Sequence, residues 1–467
     1  MTAYAEKKAQ LESLLASARG AAGVTVRKAT SNLFRDRDQG GRQRIDLSHF
    51  NRVVRVDAAT GIVEAEGMTT YEALADATLA HGSVPAVVPQ LKSITLGGAV
   101  AGVGIEASSF LHGLVHDTIT SIDVLTGEGR IVTCTPDNEH RDLFHGFPNS
   151  YGTLGYALKL SARTVPAKRY VELRHERHRD PAAYFARIER LCADGGLDFL
   201  DGVVFSRDEM YLTLGRFVDD APQVSDYGFD RIYYRSIRER SHDALTARDY
   251  LWRWDTDWFW CSKNVGAQHP LVRRLLGRKR LNSITYQKIM RWNARHGLTR
   301  AWNRIRGIHA ESVIQDVDIP IARAAEFLAF LHAEVGILPI WICPIRAPDP
   351  ARRATLYPLP PDTPSVNFGF WDVVASREPR PAGHVNREVE RKVTELGGVK
   401  SLYSDSYFTE DEFWSIYDRD AYAALKRKYD PDAMLGDLYA KCVHHAQSGR
   451  ASATSAPAPS STRTSSG

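Results

Sequence analysis

Apolar and polar positions change rhythm several times along the chain. "YAEKKAQLESLLASARG" has apolar residues at helical spacing and predicts an amphipathic helix ending near Gly20. "VTVRKATSNLF" begins strand-like and runs into a polar loop. "RVVRVD" and "GIVEAEG" alternate about the turn Ala59–Gly61, the pattern of a β-hairpin. "TTYEALADATLAHG" predicts a helix with Thr at its start and Gly at its end. "TSIDVLTGEGRIVTCT" predicts a second hairpin turning at Gly127–Gly129, and "GTLGYALKLSARTVPAKR" leads a glycine pair into an alternating strand. From about Tyr170 to Phe370 Trp and Arg become frequent, as in "YLWRWDTDWFW", and strand-like "SVIQDVDIP" and "LPIWICPI" follow. "SLYSDSYFTEDEFWSIYDRDAYAALKRKYDPDAML" is mainly helical after Thr409. The final "SGRASATSAPAPSSTRTSSG" has too few apolar residues to bury a core.

A chain of 467 residues exceeds one ordinary core, so the pattern divides into 1–170, 171–370, a segment 371–446 that completes the second unit and packs back on the first, and a disordered tail 447–467. The whole reads as a two-domain α+β protein.

Composition narrows the function. The chain is 43% hydrophobic and 25% charged, with 60 Lys and Arg against 56 Asp and Glu, a net +4. That balance does not suggest a nucleic-acid partner. The five cysteines are scattered without a CxxC pair, which argues against a metal site or a disulfide scaffold and fits a reducing cytoplasm. No apolar stretch is long enough to span a bilayer, so a lipid substrate would be met at a surface, on the cytoplasmic face of the membrane.

"SITLGGAVAGVGIEASS", from Ser93 to Ser109, asks for a specific explanation. It places Gly97, Gly98, Gly102 and Gly104 among small and β-branched residues. "GAVAGVG" imitates a dinucleotide turn, but the approach "VPAVVPQLKSITLGG" holds two prolines instead of a buried strand. A solvated linker would be less apolar. Beside these two readings stands a third, a loop whose backbone N–H groups cradle a diphosphate. On it, a side chain added at Gly98 or Gly104 would stand where the diphosphate lies.

The order of these elements resembles the FAD-binding domain of the vanillyl-alcohol-oxidase (PCMH) type over roughly the first third of the chain. The resemblance implies a PCMH-type FAD-binding domain carrying a mixed α/β substrate, or cap, domain. It implies that Thr95, Leu96, Gly97, Gly98, Gly102, Gly104, Ile105, Glu106 and Ser108 wrap the cofactor, with Gly152, Thr153 and Gly155 flanking it. "LGGAVAGVGIEASSFLHGLVHD", "GTLGYALKLSARTVPAKRYVELR", "VIQDVDIP", "PIWICPI" and "LYSDSYFTEDEFW" together resemble the delta-24 sterol reductase subfamily. They also resemble its actinobacterial relatives that reduce 10-methylene-stearoyl to 10-methyl (tuberculostearic) chains. Both kinds imply FAD and NADPH. The Ala/Arg-rich composition favours the acyl member, and a methyltransferase that makes the methylene lipid would act upstream. A sterol reductase and a sugar or alcohol oxidase of the same fold are the alternatives. Where the wider family carries an RxGGH-type loop whose His bonds the flavin, this chain has "RKATSNLFR", which implies non-covalent FAD. Arg27, Ser31, Asn32 and Arg35 would then offer donors to phosphate.

Reduction of an isolated alkene needs a hydride, a proton from a positioned acid, and a slot that excludes water. Which of hydride and proton leads remains open. In "LYSDSY", strand alternation would turn Tyr403, Asp405 and Tyr407 to one face and make them a hydrogen-bonded acid group. His116 could touch the cofactor or donate a proton, or be structural. Glu106, ill placed beside a diphosphate, would face a backbone amide or the flavin end. Gln315 and Asp316 could line the pocket, with Asp318 solvated. Cys343 is an acid only if exposed, and otherwise a small hydrophobe. Trp252, Trp254, Trp258 and Trp260 are a core cluster, a membrane-contacting rim or an acyl-chain wall; Arg253, Arg273, Arg274, Arg278 and Lys279 nearby read as solvated charge, or with the aromatics as a surface for anionic lipid headgroups. No separate NADPH module is visible, so NADPH and lipid would use one flavin face in turn.

Overall fold

The period of two along the strands sets the architecture. The structure, a computed structural model, describes residues 3–17, 24–27, 43–229, 231–347, 349 and 353–444. The side chain of Arg27, residues Ser31, Asn32 and Arg35, and the tail from 447 lie outside the described residues. Strands β1 (Val24–Arg27) and β2 (Gln43–Asp46) pair in parallel. β3 (Val53–Asp57) and β4 (Ile62–Glu66) form the first hairpin, with Gly61 at φ +66° in its turn, a conformation glycine adopts without steric cost. With β5 (Ser83–Pro85), β6 (Ile119–Leu125), β7 (Ile131–Cys134) and β8 (Tyr156–Pro166) they make a sheet ordered β3-β4-β8-β6-β7, β5 also pairing with β8. β6 and β7 are the second hairpin. The helix Tyr71–Leu79 starts at Thr70, whose hydroxyl accepts from the Ala73 N–H. The N-terminal helix Ala3–Ser17 is tied down by Tyr4 donating to Asp123 at 2.7 Å and Lys7 pairing with buried Glu66 at 2.7 Å.

The second domain is built on an eight-stranded antiparallel sheet. Its strands are β9 (Tyr170–His178), β10 (Phe199–Ser206), β11 (Glu209–Val218), β12 (His242–Thr246), β13 (His309–Pro320), β14 (Ile340–Ile345), β15 (Ser365–Ser376) and β16 (Val399–Lys400). Their order is β12-β9-β11-β10-β14-β15-β13-β16. Both faces are covered, so alternate residues serve different cores. On β14, Ile340 and Ile342 join the core made with helices Pro181–Asp194, Ile321–Phe330 and His384–Glu395. Trp341 and Cys343 join the core shared with the first domain. β15 runs across residue 370, so the boundary drawn there falls inside a strand. Beyond helix His384–Glu395, helices Glu410–Ile416 and Arg419–Tyr429 return to the first domain. There the Tyr429 hydroxyl donates to Asp142 at 2.7 Å and Lys426 to the Thr153 carbonyl at 3.2 Å.

The Trp-rich stretch is core and not a rim. Trp252, Trp254, Trp258 and Trp260 are all buried, with Trp260 stacked on Trp371 at 4.8 Å. Two of the nearby cations are also interior, contrary to a solvated reading. Arg273 pairs with Asp257 at 2.6 Å. Arg253 is fully enclosed between Glu106 at 2.7 Å and Asp201 at 2.9 Å, with its guanidinium 4.0 Å from the Tyr250 ring centre. Glu106 belongs to the glycine-rich segment and Asp201 to β10, so this cation joins the two domains. Removing one partner of a buried ionic group strands the others without solvation, at about 3–5 kcal/mol. Arg253→Met is therefore expected to lower the thermal unfolding midpoint by several degrees in scanning fluorimetry. A midpoint within about a degree of wild type would show the triad to be energetically neutral.

Candidate functional site

Thr95 opens the glycine-rich segment by capping a short helix, Leu96–Ala101, and its hydroxyl accepts the Gly98 N–H at 3.2 Å. The segment is thus part helix, where a loop was expected. Its glycines are required by the protein itself. A Cβ on Gly97 would meet the Gly67 carbonyl at 2.9 Å, and one on Gly104 would meet Val115 at 2.8 Å and Pro89 at 3.0 Å. One on Gly98 would meet the Thr95 hydroxyl at 2.7 Å. At Gly104 an added side chain would therefore drive into packed protein, which corrects the expectation there, while at Gly98 it would strike the Thr95 hydroxyl in the cavity wall. What the glycines leave on the open side is bare backbone.

That open side is one wall of a cavity of about 420 Å³ between the domains. The first domain lines it with Thr95, Gly97, Gly98, Gly102, Gly104, Ile105, Gly152 and Gly155. The cap sheet and its aromatic layer add Trp258, Phe259, Ile314, Asp316, Trp341 and Trp371, and the C-terminal segment adds Ser401, Tyr403 and Lys441. Size and lining are those of a small-molecule site. Backbone strain gathers here. Seven described non-glycine residues have positive φ, and four of them, Val103 (57°), Tyr151 (49°), Trp258 (44°) and Phe259 (59°), line the cavity. A β-branched residue such as Val103 holds that conformation only where its surroundings over-determine it, a habit of ligand sites.

Several expected residues lie elsewhere. Leu96 is core. Glu106 lies off the cavity and faces Arg253 and, as one of its two expected partners, a backbone amide, that of Ala107; burial pushes its carboxyl up to about 7 against the pull of Arg253. Ser108 donates to the Ala86 carbonyl at 2.7 Å and Thr153 to the Ser150 carbonyl at 2.8 Å, both behind the wall. His116 is off the cavity, and burial lowers its pKa, favouring the neutral ring. Cys343 is buried, and burial pushes its thiol far up, so it behaves as a hydrophobe. Gln315 faces away and donates to Asn386 at 2.6 Å. The Tyr403–Asp405–Tyr407 face does not form, because residues 403–407 are not in a β-strand. Only Tyr403 reaches the cavity. The Asp405 carbonyl accepts from Lys400 at 2.6 Å, and the Tyr407 N–H donates to Glu390 at 3.0 Å while its ring packs against Gly383.

Tyr403 finds a different partner. Its hydroxyl is hydrogen-bonded to Asp316, which β13 turns toward the cavity. Asp316 pairs across the sheet with Gly369, where a Cβ would meet its Oδ1 at 2.7 Å, so the absent side chain makes room for the carboxyl. Burial pushes Asp316 up to about 8; the Tyr403 bond pulls it down and Asp318 adds a further push. Asp318 is buried and not solvated, accepting from Tyr357 and Asn367 at 2.7 Å each, and burial holds it at about 6. The sequence signal for Asp316 is its alternation with Asp318 in "QDVDIP". Nothing in the sequence marks Gly369 or Tyr403 as its neighbours.

The residues fit an amphiphilic cofactor. Asp316 Oδ1, Asn367 Oδ1 and Gln90 Nε2 are buried in cavity-lining residues without a hydrogen-bond partner among the described residues, as groups awaiting a polar ligand would be. Bare glycine backbone supplies one wall and aromatic rings another. No cluster suited to a metal ion occurs among the described residues.

Comparison with known proteins agrees. Residues 1–135 match the FAD binding domain family. Over 405 residues the chain is 26% identical to the Delta(24)-sterol reductase of Homo sapiens, covering 83% of this chain and 75% of that one. It is 24% identical over 434 residues to the Arabidopsis thaliana enzyme of the same name, covering 85% and 76%. Cytokinin dehydrogenase 6 of Oryza sativa is 28% identical over 178 residues, 37% of this chain and 33% of its own. The chain thus carries an FAD-binding domain and is similar over most of its length to Delta(24)-sterol reductases. Given the packing at Gly104, Gly104→Val is expected to reduce soluble yield and flavin content together. A well-folded, flavin-free variant with wild-type thermal stability would contradict the packing role.

Proposed function

We propose that the protein reduces an isolated carbon–carbon double bond in a lipid, with FAD held non-covalently and NADPH as electron donor. The substrate we assign is a 10-methylene-stearoyl phospholipid, converted to its 10-methyl (tuberculostearoyl) form. The single observation that carries this reading is the Asp316–Tyr403 pair, an acid in the wall of a largely apolar cavity that the glycine-rich segment also lines. Similarity to Delta(24)-sterol reductases, whose name denotes reduction of a double bond, supports the reaction class. The segments noted above resemble both kinds of reductase, and the choice of an acyl chain over a sterol rests on the Ala/Arg-rich composition.

Bound in the cavity, FAD would supply the hydride that it has taken from NADPH. The protein's part is the proton. An isolated alkene has no carbonyl to polarise, so an oxyanion hole would serve nothing. A carboxyl with a pKa of about 8 stays mostly protonated at neutral pH, and Asp316 can therefore donate to the second alkene carbon. The Tyr403 hydroxyl then steadies the carboxylate left behind. Trp258, Phe259, Trp341 and Trp371 exclude water from the slot. Asp316 takes the donor role expected of the Tyr403–Asp405–Tyr407 group, because Asp405 and Tyr407 do not reach the cavity.

Acid precipitation is expected to release the yellow chromophore into the supernatant; colour kept in the pellet would mean a covalent flavin. The reaction itself is tested by bleaching the protein with NADPH without oxygen, then adding a 10-methylene phospholipid or a delta-24 sterol. The acyl lipid should restore the yellow colour. Sterol turning over in its place would overturn the substrate, and re-oxidation by oxygen alone would point to an oxidase. In Asp316→Asn the lipid step should slow about 10²–10⁴-fold while bleaching by NADPH is nearly unchanged. Equal slowing of both steps, or of neither, would remove Asp316 from proton donation.

A further inference from the structure

One stretch of the cap domain is charged unlike the rest of the molecule. From Trp258 to Ala310 the sequence holds twelve Lys and Arg and no Asp or Glu. This stretch contributes +12 to a chain total of +4, which leaves −8 for everything else. Its helices Pro270–Leu276, Ser283–His296 and Leu298–Ile305 also carry most of the exposed large apolar side chains. Of ten such residues described, six are here: Leu271, Leu275, Ile284, Ile289, Trp292 and Ile305, with Leu275 at 82% and Ile305 at 79% exposure. Among the described residues, salt bridges engage Lys263, Arg273 and Arg278, while Lys288, Arg291 and Arg295 stand exposed beside Trp292.

The helix Ser283–His296 connects this surface to the cavity. Its inner face holds Tyr286, whose hydroxyl donates to the Thr256 carbonyl at 2.8 Å, and Met290, which lines the cavity. Its outer face holds Lys288, Ile289, Trp292 and Arg295. Val373, also a cavity-lining residue, is 53% exposed, so the cavity has an apolar edge open to the outside.

We infer that these helices dock the protein on an anionic lipid bilayer, the apolar side chains entering the headgroup boundary and the Lys and Arg residues meeting lipid phosphates. Amphipathic helices with Trp, Leu and Ile between basic residues bind membrane surfaces by these two contributions together. A nucleic acid would use the cations but leave Leu275 and Ile305 in water. A second copy joined isologously would set the same positive surface against itself. The inference names the surface by which the proposed reductase would reach its lipid. It is read without turnover, so a wrong substrate leaves it standing and a failed docking leaves the redox proposal standing.

The test is co-sedimentation of the flavin-loaded full chain with vesicles of phosphatidylcholine alone, or with about a third phosphatidylglycerol. Binding to the anionic vesicles should be at least about tenfold stronger and should weaken with added salt. Leu275→Ser with Trp292→Ser, and separately Lys288→Glu with Arg295→Glu, should each cut that binding about tenfold or more, without changing the thermal midpoint or the rate of bleaching by NADPH. Equal binding to both vesicle types, or undiminished binding by both variants, would overturn the inference. So would a dimer that these variants dissolve, since the surface would then belong to a second copy.

Discussion

The buried cation of Arg253 sets the distance between the two halves of the site. It holds Glu106, at the end of the glycine-rich segment, and Asp201, on the cap sheet, within one hydrogen-bonded group. Trp341 donates to the same Asp201 at 3.2 Å, and the Cys343 thiol to the Glu106 carbonyl at 3.2 Å. A guanidinium suits this task because its Nη2 donates to both carboxylates and its Nη1 to the Tyr250 carbonyl while its face lies over the Tyr250 ring. An enclosed charge tolerates little displacement, since any partner that moves away leaves an unsolvated ion behind. The cavity between the glycine backbone and the cap sheet inherits that rigidity.

On the cap side, one sheet does two jobs by alternation. Val313, Val317 and Ile319 of β13 pack outward under the helices, while Ile314, Asp316 and Asp318 line the cavity. Putting two carboxyls on the inner face costs solvation, and each is answered differently. Asp318 takes two donors, Tyr357 and Asn367. Asp316 takes Tyr403 and keeps one oxygen without a partner among the described residues. That asymmetry separates a structural carboxyl from a reactive one. Left-handed Val103, Trp258 and Phe259 show the same cavity constraining its walls.

Much of the fold was legible in the sequence because it is local. Both hairpins announce themselves by alternation around glycine turns, and the Thr70 cap and the helices after Thr409 follow from spacing and end residues. The glycine-rich segment was legible as a cofactor wall, but not as a helix, since its propensity is poor and its packing against Gly67, Pro89 and Val115 is tertiary. Arg253 reads as a surface charge until Glu106 and Asp201 are brought to it from far along the chain. Tyr403 was singled out for the wrong reason. Alternation requires a strand, and this stretch has none, so its partner came from β13 and not from Asp405 or Tyr407. The acidless stretch from 258 to 310 is plain in the sequence. Its meaning depends on which of its side chains the fold leaves outside.

Reduction of an isolated double bond at this site turns on the protonated carboxyl of Asp316. Because its pKa is raised to about 8, the group holds its proton below that pH and loses it above. The most direct measurement is the stopped-flow rate of lipid-driven re-oxidation of the NADPH-reduced protein, from about pH 6 to about pH 10. The predicted result is a level rate up to about pH 8 and then a fall of about tenfold per pH unit, with a slow, level profile in Asp316→Asn. A wild-type rate that stays level to about pH 10, or a fall that persists unchanged in Asp316→Asn, would contradict it.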